Sequence, residues 1–529
     1  MTRPQTGGGG DERQVRIAKL EQLREDGMLP YPDRYDRTHT LAEALALGES
    51  LGIEPGESAP EDSPVLRIAG RVVALRAMGR LSFGHLQDHT GRLQFALNQR
   101  VLGKGACKRF LKRVDLADHV GLEGRFLRTR RGEITLNVTG WRMLSKALRP
   151  LPAKWHGLHD QETRWRQRYL DLIVNPETRE RFRVRGEVVR ALRRYLEAND
   201  FVEVETPVLA PTASGALARP FVSHHNALDM EVYLRIAPET YLKRLIVGGY
   251  DRVFEMARCF RNEGMDPSHL QEFTMLEWYA AYWNYEDNMR FTEALVRHTI
   301  EQVCGSLQVQ FAGEPVDFGG EWPRRSLREL ILEDAGIDID ACPDAESLRA
   351  AIAERGIDLE RPAEEIARLG RGNLIDRLYK VVSRRKIRGP LFLVGHPADL
   401  SPLARRSDDD PGRADRFQLV VCGWEIVNAY SELIDPLEQR RRLEEQAAAR
   451  AAGDEEAMAA EEDYLVAMEH GMPPVSGFGM GIDRFCALLT GAENLRDVVF
   501  FPLMRPLAGP EGRAASAEAT RPEPETASS

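Results

Sequence analysis

The stretch from Arg67 to Ser145 constrains the fold most. Its segments RIAGRVVALR, SFGHLQD, RLQFALN, HVGLEGRFLRT and EITLNVTGWRML alternate apolar and polar residues, with glycine or charged turns between them. Alternation with a period of two turns one face of a strand inward and the other outward, so these read as five short strands. A helix over Lys104–Val114 interrupts them. Five strands with an interposed helix predict an OB-fold barrel, a platform for single-stranded nucleic acid. Barrels of this length serve other purposes, so the fold alone does not fix the partner. Between Arg67 and Lys154, 19 Lys and Arg face 5 Asp and Glu, in a chain whose net charge is −10. A basic module in an acidic protein suggests a polyanion partner, although an ordinary basic patch would carry the same charge.

The chain around this module has 529 residues, enough for several domains. At 43% hydrophobic and 29% charged it has the composition of a soluble globular protein. It contains no apolar run of about 18 residues, so no membrane span is expected, and its N-terminus lacks the apolar core of a secretory signal. Six cysteines without a CxxC pair argue against zinc and a disulfide framework and fit a reducing cytoplasm.

The expected architecture is α+β and multidomain: a helical, flexible extension over 1–65, the barrel over 66–148, a proline-punctuated hinge over 149–165, a larger domain over 166–507 and a disordered tail over 508–529. In the extension, Val15–Gly27 has helical spacing and Gly52–Pro64 reads as a linker. In the larger domain, Asp160–Leu172 and Pro176–Asn199 read as helices and Phe201–Leu209 as a strand. A helical insertion spans 314–388, and Glu438–Glu469 reads as a long polar helix broken near Gly453.

The segment Arg258–Tyr279, RCFRNEGMDPSHLQEFTMLEWY, carries the chemistry. Arg261 can neutralise a phosphate, Glu263 can accept from an exocyclic amine, and Phe273 offers a flat face to a purine. No GxxxxGK phosphate loop occurs in the chain. On residue chemistry alone, a solvated charged turn also fits.

FRNEG followed by EFTMLEWY resembles motif 2 of the class II aminoacyl-tRNA synthetases. GFGMGIDRFCALLTG (Gly477–Gly491) resembles their motif 3 and VETPVL (Val204–Leu209) their motif 1, in the family's order. LRPLPAKWHGL, RQRYLDL, ARPFVSHHNALDMEVYLRIAPE, YLKRLIVGGYDRVFE and SELIDP narrow the resemblance to the bacterial lysyl-tRNA synthetases, from about Arg67 to Pro506. The resemblance implies an antiparallel catalytic sheet flanked by helices, a homodimer, and ATP, lysine and tRNA as substrates.

It also implies residue roles. Arg261 and Arg484 would act on the α- and γ-phosphate ends of ATP, with Phe273 on adenine, Glu263 near its amine and His269 near the bent triphosphate. Glu277 and Glu432 would flank the lysine ammonium, assisted by Tyr279 and Asn428. Glu239 and Gly215 would lie at the α-amino end, with Gly481 also in the lysine site. Read singly, each glutamate could be a surface ion pair and Arg484 a helix-terminal surface arginine. Magnesium would be held by Glu425; the family's second metal carboxylate lies seven residues earlier, where this chain has Gln418. Leu270 and Gln271 replace the common Asn-Pro of motif 2. On the barrel, Phe83, Gln94, Glu133 and Arg76 match anticodon contacts, with Leu75 replacing a neighbouring basic residue, and Phe83 as a barrel-core residue remains open. A non-catalytic paralogue that binds tRNA or nucleotide, or a ligase with a protein acceptor, are the other readings.

Overall fold

The structure, a computed structural model, describes residues 9–152, 158–212, 218–451 and 461–507. The chain forms two compact units, Met1–His159 and Asp160–Ser529.

In the first unit, five strands close into a barrel: β1 (Leu66–Arg76), β2 (Leu81–Gln87), β3 (Arg92–Asn98), β4 (His119–Arg128) and β5 (Ile134–Ser145), ordered β1-β2-β3-β5-β4 around the wall. A helix, Lys104–Arg113, separates β3 from β4. Leu86, Phe95, Leu97, Val120, Leu122, Leu136 and Val138 fill the interior, as the alternation requires.

Two sequence expectations change here. The helix expected from Val15 begins at Gly9, and a second one, Leu41–Ser50, was not anticipated. Its start is written as a capping box: Thr40 accepts from the Glu43 amide, and the Glu43 carboxylate accepts from the Thr40 amide. Leu41, Ala44 and Gly48 are buried. Gly52–Pro64 is no free linker: Ile53 and Ala59 belong to the barrel core, and Ser58 bridges to Leu127.

The second unit is built on an eight-stranded sheet. Its strands run in the order Arg324–Ser326, Leu391–Val394, Arg416–Val421, Trp424–Ser431, Val475–Gly481, Glu272–Ala281, Arg252–Phe260, Val202–Glu203. Pairing is antiparallel except at the two edges. The helices Pro176–Glu197, Tyr285–Cys304 and Ile482–Leu489 contribute Val188, Leu192, Val296, Ile300 and Phe485 to the core against it, around Trp278 stacked on Phe478. The opposite side of the sheet carries the cavity described below.

The Phe201–Leu209 strand is reduced to two short pairings, Val202–Glu203 and Leu209–Ala210. Pro207 lies between them and has no amide to donate to a ladder. Asp160–Leu172 is two helices, Gln161–Arg166 and Arg168–Val174, broken where Gln167 leaves helical geometry (φ −115°, ψ 51°). The long polar helix appears as Pro436–Ala451 and Glu462–Glu469, and the expected break at Gly453 lies outside the described residues, as does the 508–529 tail.

Candidate active site

The two central strands that carry motifs 2 and 3 in the resemblance pair directly. Met275–Ala281 lies against Val475–Gly481, with Glu277 opposite Gly479 and Tyr279 opposite Gly477. Glycine on one strand makes room for large polar side chains on its neighbour. A Cβ at Gly477 would overlap both the Tyr279 ring and Glu432 Oε1. The result is a cavity of about 370 Å³, lined among others by Glu239, Arg261, Phe273, Glu277, Tyr279 and Arg484. Glu263, His269, Glu425, Asn428 and Gly481 also line it. Gln418 and Glu432 lie behind the wall, and Gly215 falls outside the described residues.

The two ends of the cavity differ in chemistry. At one end, Arg261 stacks its guanidinium over Phe273, 5.1 Å from the ring centroid. Arg484 donates to the Glu425 carbonyl (3.0 Å) and the Ser268 carbonyl (3.3 Å) and lies 2.9 Å from His269 Nε2. His269 Nδ1 is in turn 2.8 Å from Asp266. This end can hold an aromatic ring and several anionic oxygens.

Glu425 stands beside it. Burial works to raise its pKa, but Arg484, Arg384, Arg416 and Lys380 outweigh burial and hold the carboxyl below its usual range. Gln418 donates to Glu425 Oε2 (2.9 Å). Among the described residues, no three His, Cys, Asp or Glu side chains gather as metal ligands. One ionised carboxylate lining the cavity, with Gln418 hydrogen-bonded behind it, suits a hard divalent cation that takes most of its oxygen ligands from elsewhere.

The other end is acidic and buried. Glu277 Oε2 has no hydrogen-bond partner. Burial, and then the neighbouring Glu239, push its pKa well above the carboxylate range, against the pull of Arg261. Glu239 accepts from the Tyr430 hydroxyl (2.8 Å) and from Lys243 Nζ (2.5 Å). Glu432 Oε2 lies 2.5 Å from the same ammonium. Asn428 accepts from Arg416 (2.8 Å). Sequence reasoning missed Tyr430, Lys243 and Gly477. The glycine pattern of GFGMG was the one available signal, for Gly477.

On the barrel, Phe83 is half-buried and faces Arg76 across β1 and β2. Gln94 donates to Glu133 (2.7 Å), whose other oxygen is 3.1 Å from His85 Nε2. Arg76, Phe83, His85 and Gln94 occupy the outer face of the adjoining strands β1, β2 and β3, because Ser82, Gly84 and Leu86 alternate inward, and Glu133 reaches them from the turn before β5. His85 joins the cluster unpredicted.

Comparison with known proteins agrees with both units. Residues 160–505 match the family described as tRNA synthetases class II (D, K and N), and residues 66–144 match the OB-fold nucleic acid binding domain. A lysine–tRNA ligase of Carboxydothermus hydrogenoformans is 45% identical over 93% of this chain and 97% of its own length. Those of Roseiflexus castenholzii (46%, over 93% and 98%) and Enterococcus faecalis (43%, over 94% and 97%) are similarly related. With a basic barrel joined to an antiparallel sheet whose cavity is cationic at one end and acidic at the other, and with these matches over nearly its whole length, the chain belongs to the class II tRNA synthetases of the D, K and N group.

Proposed function

We infer that the chain ligates lysine to tRNA at the expense of ATP. One observation carries the choice of amino acid: a buried carboxylate oxygen without a hydrogen-bond partner, Glu277 Oε2, at the acidic end of the cavity. An amino acid ending in an ammonium satisfies it; a carboxylate side chain would be repelled, and a neutral one would leave it unpaired.

In the first step a lysine carboxylate oxygen attacks the α-phosphorus of ATP. A phosphorus–oxygen bond forms as the bond to the β-phosphate oxygen breaks, giving lysyl-adenylate and pyrophosphate. No protein nucleophile is required, so the residues act by positioning and by neutralising charge. Arg261 meets charge developing at the α-phosphate, Arg484 the γ-phosphate end with His269, and Phe273 stacks on adenine beside Glu263. Glu425, steadied by the amide of Gln418, would hold a magnesium ion, which would supply charge neutralisation at the phosphates. Glu277 and Glu432 read the side-chain ammonium, with Tyr279 and Asn428; Glu239, Gly215 and Gly481 serve the α-amino end. In the second step a hydroxyl of the terminal tRNA ribose attacks the acyl carbon and AMP leaves.

The outer barrel face of Phe83, Gln94, Glu133 and Arg76 fits a single-stranded anticodon read by stacking and edge hydrogen bonds. It favours a tRNA over a protein acceptor. We further propose that two copies pair through the motif 1 region, where Val202, beside the Pro176–Glu197 helix, and Val208 and Leu209 are exposed. The cytoplasm is the corresponding site of action. The test is ATP–pyrophosphate exchange without tRNA, run with each of the twenty amino acids. Exchange driven by lysine alone is expected; a folded protein that exchanges with none would favour a non-catalytic paralogue.

A further inference from the structure

Lys243 is fully buried one turn after Glu239 on the helix Glu239–Val247. Its ammonium is 2.5 Å from Glu239 Oε1 and 2.5 Å from Glu432 Oε2. The rings of Tyr279, Tyr430 and Tyr464 surround it at 5.7–5.9 Å. It does not line the cavity, but Glu239, Tyr279 and Tyr430 do. Lys243 is therefore a cation set behind the wall, in contact with the groups that form the wall.

Counting charge shows what it does. The acidic end holds three carboxylates, Glu239, Glu277 and Glu432; nearby Glu255 is already matched by Arg235 (2.6 Å). Three unpaired carboxylates in a buried site would repel one another and take up protons. One internal ammonium cancels one of them and leaves two. An amino acid with two ammonium groups supplies two cations there, its own carboxylate being the group that reacts at the phosphate end.

We propose that Lys243 is a positioning residue for amino-acid selection, an internal counter-cation that fixes the Glu239 and Glu432 carboxylates and sets the pocket charge to match the two ammonium groups of lysine. The inference rests on the lysine reading above. Burial opposes the charge on Lys243, but Glu239 and then Glu432 hold its pKa well above the usual value, so it stays cationic. The cation also explains why Glu432 needs no access to the cavity: its pull on a ligand passes through the wall.

The experiment is lysine-dependent exchange by the full-length protein carrying Lys243→Met, which keeps volume and removes charge. The lysine KM should rise on the order of 100-fold, as when one member of a buried charge pair is truncated, with kcat and the ATP KM held. Lys243→Ala is the second variant. Propylammonium, which replaces the deleted atoms, should lower its lysine KM again, whereas n-propanol should not. An unchanged lysine KM in folded Lys243→Met would overturn the proposal. So would a parallel loss of lysine and ATP kinetics that propylammonium leaves untouched, which marks a purely structural residue. Absence of lysine-dependent exchange in the unaltered protein would instead overturn the reading on which the proposal rests.

Discussion

The two ends of the cavity solve opposite electrostatic problems by different means. The phosphate end takes its cations from a loop, Arg261 to Gln271, and from the start of the helix Ile482–Leu489. Its Glu263 and His269 are exposed. A polyanion brings enough charge to organise such side chains on arrival. The amino-acid end is buried, and two of its three acids are fixed before any ligand arrives, Glu239 by Lys243 and Tyr430 and Glu432 by Lys243. A single ammonium is a weak organiser, so the site that reads it must be arranged in advance.

The contrast breaks most readily at Glu277. Glu277→Gln should lower kcat/KM for lysine by about 10³-fold while the ATP KM barely changes, because a buried charge pair is lost at one end only. Steady-state exchange kinetics in both substrates check this. Arg484→Ala should do the reverse, lowering kcat by on the order of 10²-fold with a small change in lysine KM, as expected for a group that stabilises developing phosphate charge. Equal effects of both changes on both substrates would erase the distinction between the ends.

Gly477→Ala sharpens it further. The added Cβ meets Glu432 Oε1 and the Tyr279 ring, so one of them must move. Lysine binding by calorimetry should weaken roughly 30-fold, the scale of an overpacked site, with nucleotide binding retained.

Protons give a smaller effect. Burial pushes the Glu432 carboxyl up to about 8 against the pull of Lys243, and Glu277 is raised as well. The free pocket then takes up protons more readily than ordinary carboxylates do, and binding of lysine releases them. Affinity should therefore rise with pH between about 6 and 8, by up to ~10-fold per unit, and level off above. ATP affinity should show no such rise. Calorimetry in buffers of different ionisation enthalpy would register the released proton.

The smallest effect should come from the barrel. Phe83→Ala should raise the KM for tRNA by about 10-fold, the worth of one stacked base, and leave exchange without tRNA unchanged.

What the sequence made legible follows from distance along the chain. Arg261, Phe273 and Glu277 lie within one hairpin of paired strands, so their grouping survives any error in the rest of the fold. The barrel was legible because alternation reports which face is buried. Lys243 was not, because a lysine at i+4 from a glutamate on a helix reads as a surface ion pair. Only the packing of that helix against Tyr464 and the strands bearing Tyr279 and Tyr430 makes it internal. Gly477 gained its meaning from strand register, which places it opposite Tyr279. The Leu41–Ser50 helix was missed although its capping box stood in the sequence, since three buried residues are too few to set a period.

The most direct test of the central claim compares lysine with norleucine, which has nearly the same shape and lacks the ammonium, in the unaltered protein and in Glu277→Gln. Activation of each should be measured by exchange. The account predicts a preference for lysine of roughly 10⁴-fold, the scale set by a buried polar partner left unpaired, falling to about 10-fold in the variant. A preference that Glu277→Gln leaves intact would contradict it, because the ammonium would then be read somewhere other than the buried acidic end.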